Sequence, residues 1–242
     1  MFAWDGTVVL LIPAVLLAIW AQAKVRWAYA KYSKVQARAL MRGADVAASM
    51  LKKPDALGRA GPGAVRALAA VGVHAVPGNL TENYYDPRAK TLNLSEAVYS
   101  GRSLAAIGVA AHEAGHAMQD ATGYRALVVR SAMVPAANVG SNLGWFLFLA
   151  GLLLARAGLG VLMDIGTILF SAAVLFALVT LPVEFNASKR ALRALQQGGY
   201  LAPGEIRGAR AVLSAAAMTY VAAAAIAVFE LIRLLVLRSS RN

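Results

Sequence analysis

The chain has 242 residues, of which 59% are hydrophobic and 15% charged, and its mean hydropathy is +0.59. Soluble domains run nearer half apolar and a quarter charged, so the composition argues against a wholly soluble protein and for membrane spans. The net charge of +12 comes without any nucleic-acid-binding motif and suits the cytoplasmic flanks of membrane helices instead, while the lack of cysteine excludes disulfides and thiolate zinc sites.

Four apolar stretches approach or exceed the about 20 residues needed to cross a bilayer. They cover residues 7–23, 133–155, 159–181 and 212–237. The first ends in Ala21-Gln22-Ala23, which resembles a signal-peptide cleavage site. No Lys or Arg precedes it, however, while Lys24, Arg26, Lys31, Lys34 and Arg38 follow. Positive charge holds its side in the cytoplasm, so an uncleaved anchor with its N-terminus outside is expected.

Residues 24–131 hold 15 of the 24 basic residues and are expected to form a cytoplasmic domain. A helix should begin at residues 43–48, and residues 58–63, rich in Gly and Pro, read as a loop. Residues 71–76 suit a strand and Pro77-Gly78 a turn. Tyr84-Tyr85, the Asp86-Pro87-Arg88 turn and Thr91-Leu92-Asn93-Leu94 read as a β-hairpin. Ser95 is placed to cap a short helix reaching Tyr99, and Ser103 to cap a longer one from Leu104 to about Gln119.

Only Arg156, Ala157 and Gly158 separate the second and third spans, so these form a tight hairpin that returns the chain to the cytoplasm. Residues 182–211 carry Lys189, Arg190, Arg193, Arg207 and Arg210, as that side should. The fourth span would then end outside with Arg238 and Arg241, against the same tendency, unless the last helix lies partly in the interface. Within the spans, Asp164 reads as a near-interface residue. Glu230 and Arg233 are spaced to neutralise each other. Asn138 and Asn142 are expected to bond a neighbouring helix, and alanines 215–217 and 222–225 to make small faces for packing in lipid.

The run His112-Glu113-Ala114-Gly115-His116 falls in the predicted Ser103-capped helix. Residues four apart share a helical face, so two imidazoles can bind one zinc ion. Zinc lowers the pKa of a bound water toward about 7. Glu113, beside it, can take the water proton and later deliver it to the leaving amine. Arg102, Asp120, Arg125 and Arg130 around the helix place it outside the lipid core. A catalytic zinc usually has three protein ligands and an open position. Residues 117–122 lack the Gly and His of the metzincin pattern. Asp120 shares the face of His116, His74 lies in or near a strand, and Glu184 follows Pro182, which can open a helix over residues 183–195. Glu184 is the best of these, because the hairpin brings it back to the membrane face of His112. Substrate could pair with an edge strand, for which residues 91–94 are the candidate. His74, Tyr84, Tyr85 and Arg88 are unranked candidates to stabilise an oxyanion.

The zinc motif continued by Ala117, together with Arg130-Ser131-Ala132, Pro135 and Pro182-Val183-Glu184-Phe185-Asn186-Ala187-Ser188, resembles the YugP-type membrane zinc metallopeptidases of bacteria. Tyr32-Ser33-Lys34-Val35, Asp86-Pro87-Arg88 and Leu94-Ser95-Glu96 resemble that family too, so the likeness covers nearly the whole chain. It implies a gluzincin-like site in a bacterial plasma-membrane protein. In the distantly similar HtpX-type proteases the third ligand is the Glu of a Glu-x-x-x-Asp run. The resemblance carries this onto Glu184, whereas Ser188 stands where that Asp would be.

The expected fold is therefore a mainly α-helical integral membrane protein with about four transmembrane helices and a cytoplasmic α+β zincin-like domain that includes a small β-hairpin. The expected division is an anchor (1–23), a cytoplasmic domain (24–131) with the motif helix at about 103–120, a transmembrane hairpin (132–181), a cytoplasmic segment with the third ligand (182–211) and a last transmembrane helix with its tail (212–242). The expected activity is zinc endopeptidase, with Glu113 catalytic and His112, His116 and Glu184 holding zinc. It would act on misfolded or membrane proteins at the cytoplasmic face, with the lipid bilayer and peptide substrates as partners and no nucleic acid. The competing reading is a catalytically silent zinc-binding scaffold or a transporter. The intact Glu113 argues against silence, and the chain shows no repeated halves or broken helices that would suggest transport.

Overall fold

The computed structural model describes residues 6–53, 61–78 and 82–240. A 3-10 turn over Gly6–Leu11 leads into α1 (Ile12–Tyr32), followed by α2 (Gly43–Lys52) and α3 (Pro62–Ala69). Next come β1 (Gly72–Val76), β2 (Tyr84–Asp86), β3 (Thr91–Ser95), the single turn α4 (Glu96–Tyr99) and α5 (Leu104–Ala121). The chain finishes with three long helices: α6 (Arg125–Leu154), α7 (Val161–Gln197) and α8 (Pro203–Ser239). Part of the expected loop at 58–63, residues 58–60, lies outside the described residues, as do Asp5 and Arg241. Pro62 and Gly63 instead open α3, where a proline without an N–H loses no helical bond.

Among the described residues, four helices are long and apolar enough to cross a membrane, in Gly6–Tyr32, Arg125–Ala157, Val161–Gln197 and Pro203–Ser239. Each is longer than the apolar stretch that announces it. Hydropathy marks only the part fit for lipid, whereas a helix continues for as long as its backbone bonds do. The difference matters most at Pro182, which was expected to begin a new helix but stands inside the unbroken α7. Proline has a helix-compatible φ and forfeits one backbone bond, a loss that long membrane helices tolerate.

The chain forms two compact units. One comprises Met1–Gln22, Val128–Pro182 and Met218–Asn242, with Phe148, Met163, Phe170, Val174 and Leu234 at its core. In it α6 and α7 meet glycine to glycine. A Cβ on Gly144 would lie 2.9 Å from the Gly166 carbonyl oxygen, and a Cβ on Gly166 2.6 Å from that of Gly144. Without an oil–water driving force in lipid, such close backbone contact supplies the attraction between helices. The Arg238 guanidinium pairs with Asp164, and Arg233 bonds Glu230 at 3.0 Å and the Thr7 hydroxyl at 3.2 Å. The Asp164 partner offsets the terminal arginine, and α8 runs unbroken to Ser239. Asn142 does not reach another helix as expected. Its amide donates to the Asn138 carbonyl of its own helix at 3.0 Å.

The other unit comprises Ala23–Leu127 and Val183–Ala217 and is built around α5. The Ser103 hydroxyl caps this helix, accepting from the Ala106 N–H at 3.2 Å. Ser95 precedes α4 without making the expected capping bond. Val46, Met50, Leu68, Leu92, Leu94, Ile107, Met118, Leu195 and Leu213 form one core that draws on α2, α3, β3, α5, α7 and α8. Burying these side chains gives α5 its fixed place, at about 1.5–3 kcal/mol for each large one. The sheet has the order β1-β3-β2. β2 and β3 form the expected antiparallel hairpin, with Tyr85 opposite Leu92, and the Asp86 carboxylate accepts from the Arg88 and Ala89 N–H groups in the turn. β1 pairs parallel to the far side of β3, Val73 opposite Leu92. Residues 91–94 therefore form the central strand, not the edge expected from sequence. Leu92 and Leu94 bury one face of this strand completely, and β2 takes the edge.

Candidate metal centre

α5 presents His112 and His116 one turn apart, and α7 brings Glu184 to them. His112 Nε2 lies 3.2 Å and His116 Nε2 3.5 Å from Glu184 Oε2. The imidazoles stand edge to face, with centroids 4.8 Å apart. Gly115 permits this approach: a Cβ there would lie 2.5 Å from the Ala187 carbonyl oxygen. Glu184 is 2% exposed, and Glu113 and His116 are also buried.

The three donor atoms lie within 4.8 Å of one another. A tetrahedral zinc with bonds of about 2.0–2.1 Å needs ligand atoms about 3.3 Å apart, and two imidazoles with one carboxylate form an established catalytic zinc donor set. The residues therefore fit the metal. The other sequence candidates stand apart. Asp120 Oδ2 accepts from the Tyr85 hydroxyl at 2.6 Å and from Lys90 Nζ at 2.5 Å. His74 is exposed on β1, on the other side of β3 from β2.

Both imidazoles are held from behind. His112 Nδ1 bonds the Ser188 hydroxyl at 3.1 Å, and His116 Nδ1 bonds Gln119 Oε1 at 3.0 Å. Gln119 Nε2 continues to the Val183 carbonyl at 2.8 Å and to Asn186 Oδ1 at 3.0 Å. Arg190 Nε also donates to Asn186 Oδ1, at 2.8 Å. Sequence reasoning missed Gln119 and Asn186. The available signal was spacing, since Gln119 is three residues beyond His116 and Asn186 two beyond Glu184, within one helical turn of a ligand each.

Glu113 is buried on α5, and the backbone N–H of Tyr85 in β2 is among the groups that lower its pKa. Burial raises the Glu113 pKa, against the lowering influence of the two histidines. For His116, burial alone would lower the pKa, but the Glu184 and Glu113 carboxylates outweigh it and the net shift is upward. Of the four oxyanion candidates, Tyr85 belongs to the strand at the site. Its hydroxyl is committed to Asp120, and burial and that bond raise its pKa. Tyr84 is exposed, as are His74 and Arg88.

The family model described as "Putative neutral zinc metallopeptidase" matches residues 7–239. The chain belongs to this family. Within the neutral zinc metallopeptidase family it is similar to the protein named "Putative membrane protease YugP" of Bacillus subtilis (strain 168), with 46% identity over 224 residues, which are 93% of this chain and 92% of that protein. The YugP-type resemblance seen in the sequence is thus borne out over nearly the whole length. No solved structure matches the chain. The family name, four helices fit to span a membrane and the His-His-Glu group agree on a membrane protein of zinc-peptidase type.

Proposed function

We propose that the chain is a membrane-anchored zinc endopeptidase that hydrolyses misfolded or membrane protein segments at the cytoplasmic face of a bacterial plasma membrane. The observation that carries this reading is the convergence of His112, His116 and Glu184 with the buried Glu113 beside them. His112 Nε2, His116 Nε2 and Glu184 Oε2 would hold the ion. Bound there, zinc supplies Lewis-acid chemistry, lowering the pKa of water toward about 7 and polarising the scissile carbonyl. Glu113 holds the proton taken from the attacking water and passes it to the leaving amine, a role that suits a carboxylate whose pKa is raised by burial. The edge strand β2 offers backbone groups along which an extended substrate can pair.

The basic residues support the cytoplasmic orientation, since 15 of 24 fall in residues 24–131 and none precedes the first span. On this reading residues 24–131 and 182–211 make the cytoplasmic part, and residues 1–23, 132–181 and 212–242 make the membrane part.

The test is metal content of detergent-purified protein, wild type beside Glu184→Ala, followed by peptide hydrolysis with Glu113→Gln as control. About one zinc per chain in the wild type, much less in Glu184→Ala, and hydrolysis absent only where Glu113 or zinc is missing are expected. A wild type that holds no metal, or a Glu113→Gln protein that still cleaves, overturns the proposal.

A further inference from the structure

We propose that Gln119 is a positioning residue of the metal centre. Its amide fixes a proton of His116 on Nδ1, which leaves Nε2 as the nitrogen for a metal that Glu184 would share, and it ties the two ligand-bearing helices together. The motif then reads His-Glu-x-x-His-x-x-Gln from His112 to Gln119. The inference rests on the metal-centre reading given above.

The orientation of the amide follows from its partners. One end faces the Val183 carbonyl, which can only accept a hydrogen bond. The same end faces Asn186 Oδ1, and Arg190 Nε, a donor only, identifies that atom of Asn186 as oxygen. The end toward these two oxygens must therefore be the NH2 group. The opposite end, 3.0 Å from His116 Nδ1, is then the carbonyl oxygen. A carbonyl cannot donate, so His116 Nδ1 must carry the hydrogen, and the neutral ring is left with an unprotonated Nε2. That nitrogen is the one 3.5 Å from Glu184 Oε2. Metal-ligating imidazoles are held in this way by an acceptor on the other ring nitrogen.

Two further features separate Gln119 from an ordinary core glutamine. It is completely buried, yet all its side-chain hydrogen bonds go to the site or to the turn of α7 that bears the third ligand. Val183 immediately precedes Glu184, so one amide sets the orientation of His116 and the register of Glu184 against it. Ser188 does less for His112, because a hydroxyl can donate or accept and so does not choose the tautomer.

The full-length chain in detergent allows the test. With three histidines in the sequence, nitrogen NMR of 15N-labelled imidazoles can assign the tautomer of His116 in the zinc-free protein. Zinc affinity is measured by competition with a chromophoric chelator for the wild type, Gln119→Leu and Gln119→Glu. In the wild type, His116 should be protonated on Nδ1. Gln119→Leu should bind zinc about 10–100-fold more weakly, with His116 divided between tautomers. Gln119→Glu keeps an acceptor for Nδ1 but sets a carboxylate oxygen before the Val183 and Asn186 oxygens, so it should recover the tautomer while losing affinity through the weakened tie between the helices. A wild-type His116 protonated on Nε2 alone, with Nδ1 bare, overturns the proposal. So does a folded Gln119→Leu with wild-type affinity, or a Gln119→Glu whose neutral His116 is not protonated on Nδ1. If Gln119→Leu does not fold, the wild-type tautomer and Gln119→Glu decide. A wild type that binds no zinc sinks the metal-centre reading, while the tautomer measured without zinc still decides the role of Gln119.

Discussion

Gly115 of α5 lies against the backbone of Ala187 in α7, so closely that a Cβ at Gly115 would come within 2.5 Å of the Ala187 carbonyl oxygen. This contact sets the distance at which Glu184 meets the two histidines. Gly115→Ala must push the helices apart, since the obstacle is backbone and cannot rotate away. A loss of about 1–3 kcal/mol of stability is expected from the overpacking. A larger proportional loss of zinc affinity should accompany it, because the donor atoms separate. Thermal denaturation and chelator competition on the same preparation check both; unchanged zinc affinity would show that the contact does not set the ligand geometry.

Glu113→Gln preserves size and removes the proton-accepting carboxylate. Zinc content should stay near that of the wild type, because Glu113 is not among the clustered donor atoms. Peptide hydrolysis should fall by about 10²–10⁴-fold, the usual contribution of a general acid–base. Turnover of a fluorogenic peptide, with zinc measured in parallel, separates this outcome from a variant that has merely lost its metal.

Much of the site was legible from local sequence because the signals are local. The spacing of His112 and His116 places them on one helical face, Ser103 announces the start of α5, and the Asp86 turn announces the hairpin. The rest depended on contacts between distant segments. The central place of β3 follows from parallel pairing with β1, which no turn residue encodes. The continuity of α7 through Pro182 depends on what surrounds the helix, which propensity does not contain. Gln119 reads as a polar residue near the end of a helix until α7 covers it and Val183 and Asn186 supply its partners.

Ser188 accounts for a departure from the Glu-x-x-x-Asp pattern. Its hydroxyl occupies the position behind His112 Nδ1, at 3.1 Å, that a carboxylate could take. A neutral hydroxyl is a weaker acceptor than a carboxylate, by roughly a factor of two in hydrogen-bond energy. Ser188→Ala should therefore weaken zinc binding less than Gln119→Leu does, by about tenfold at most. Ser188→Asp should tighten it. A loss of affinity in Ser188→Asp as large as that in Ser188→Ala would show that space, not basicity, governs this position.

Metal removal should loosen the unit built on α5. The three donors come from two helices, so an ion bound to the folded chain alone stabilises it by mass action, about 4 kcal/mol when free zinc is 1,000 times the dissociation constant. Chelation should lower the thermal midpoint of the wild type by several degrees, and restoring zinc should reverse the shift. Glu184→Ala should show little response to either treatment. A midpoint that moves equally in both proteins would place the stabilising ion elsewhere.

Asp120 was a candidate ligand, and its bonds give it a different task. Its carboxylate joins the Tyr85 hydroxyl and the Lys90 ammonium, and so anchors β2 beside α5. The same β2 lies beside the helix that carries Glu113, and the Tyr85 backbone N–H is among the groups that lower the Glu113 pKa. Asp120→Asn removes the charge that strengthens both bonds, and a loss of about 1–3 kcal/mol is expected from the part-buried partner left with a poorer acceptor. Zinc content should be unchanged, while peptide turnover falls because the edge strand beside the Glu113 helix is held less firmly. Measuring zinc, stability and turnover together tests the assignment: loss of zinc in Asp120→Asn at an intact thermal midpoint would return this residue to the ligand set.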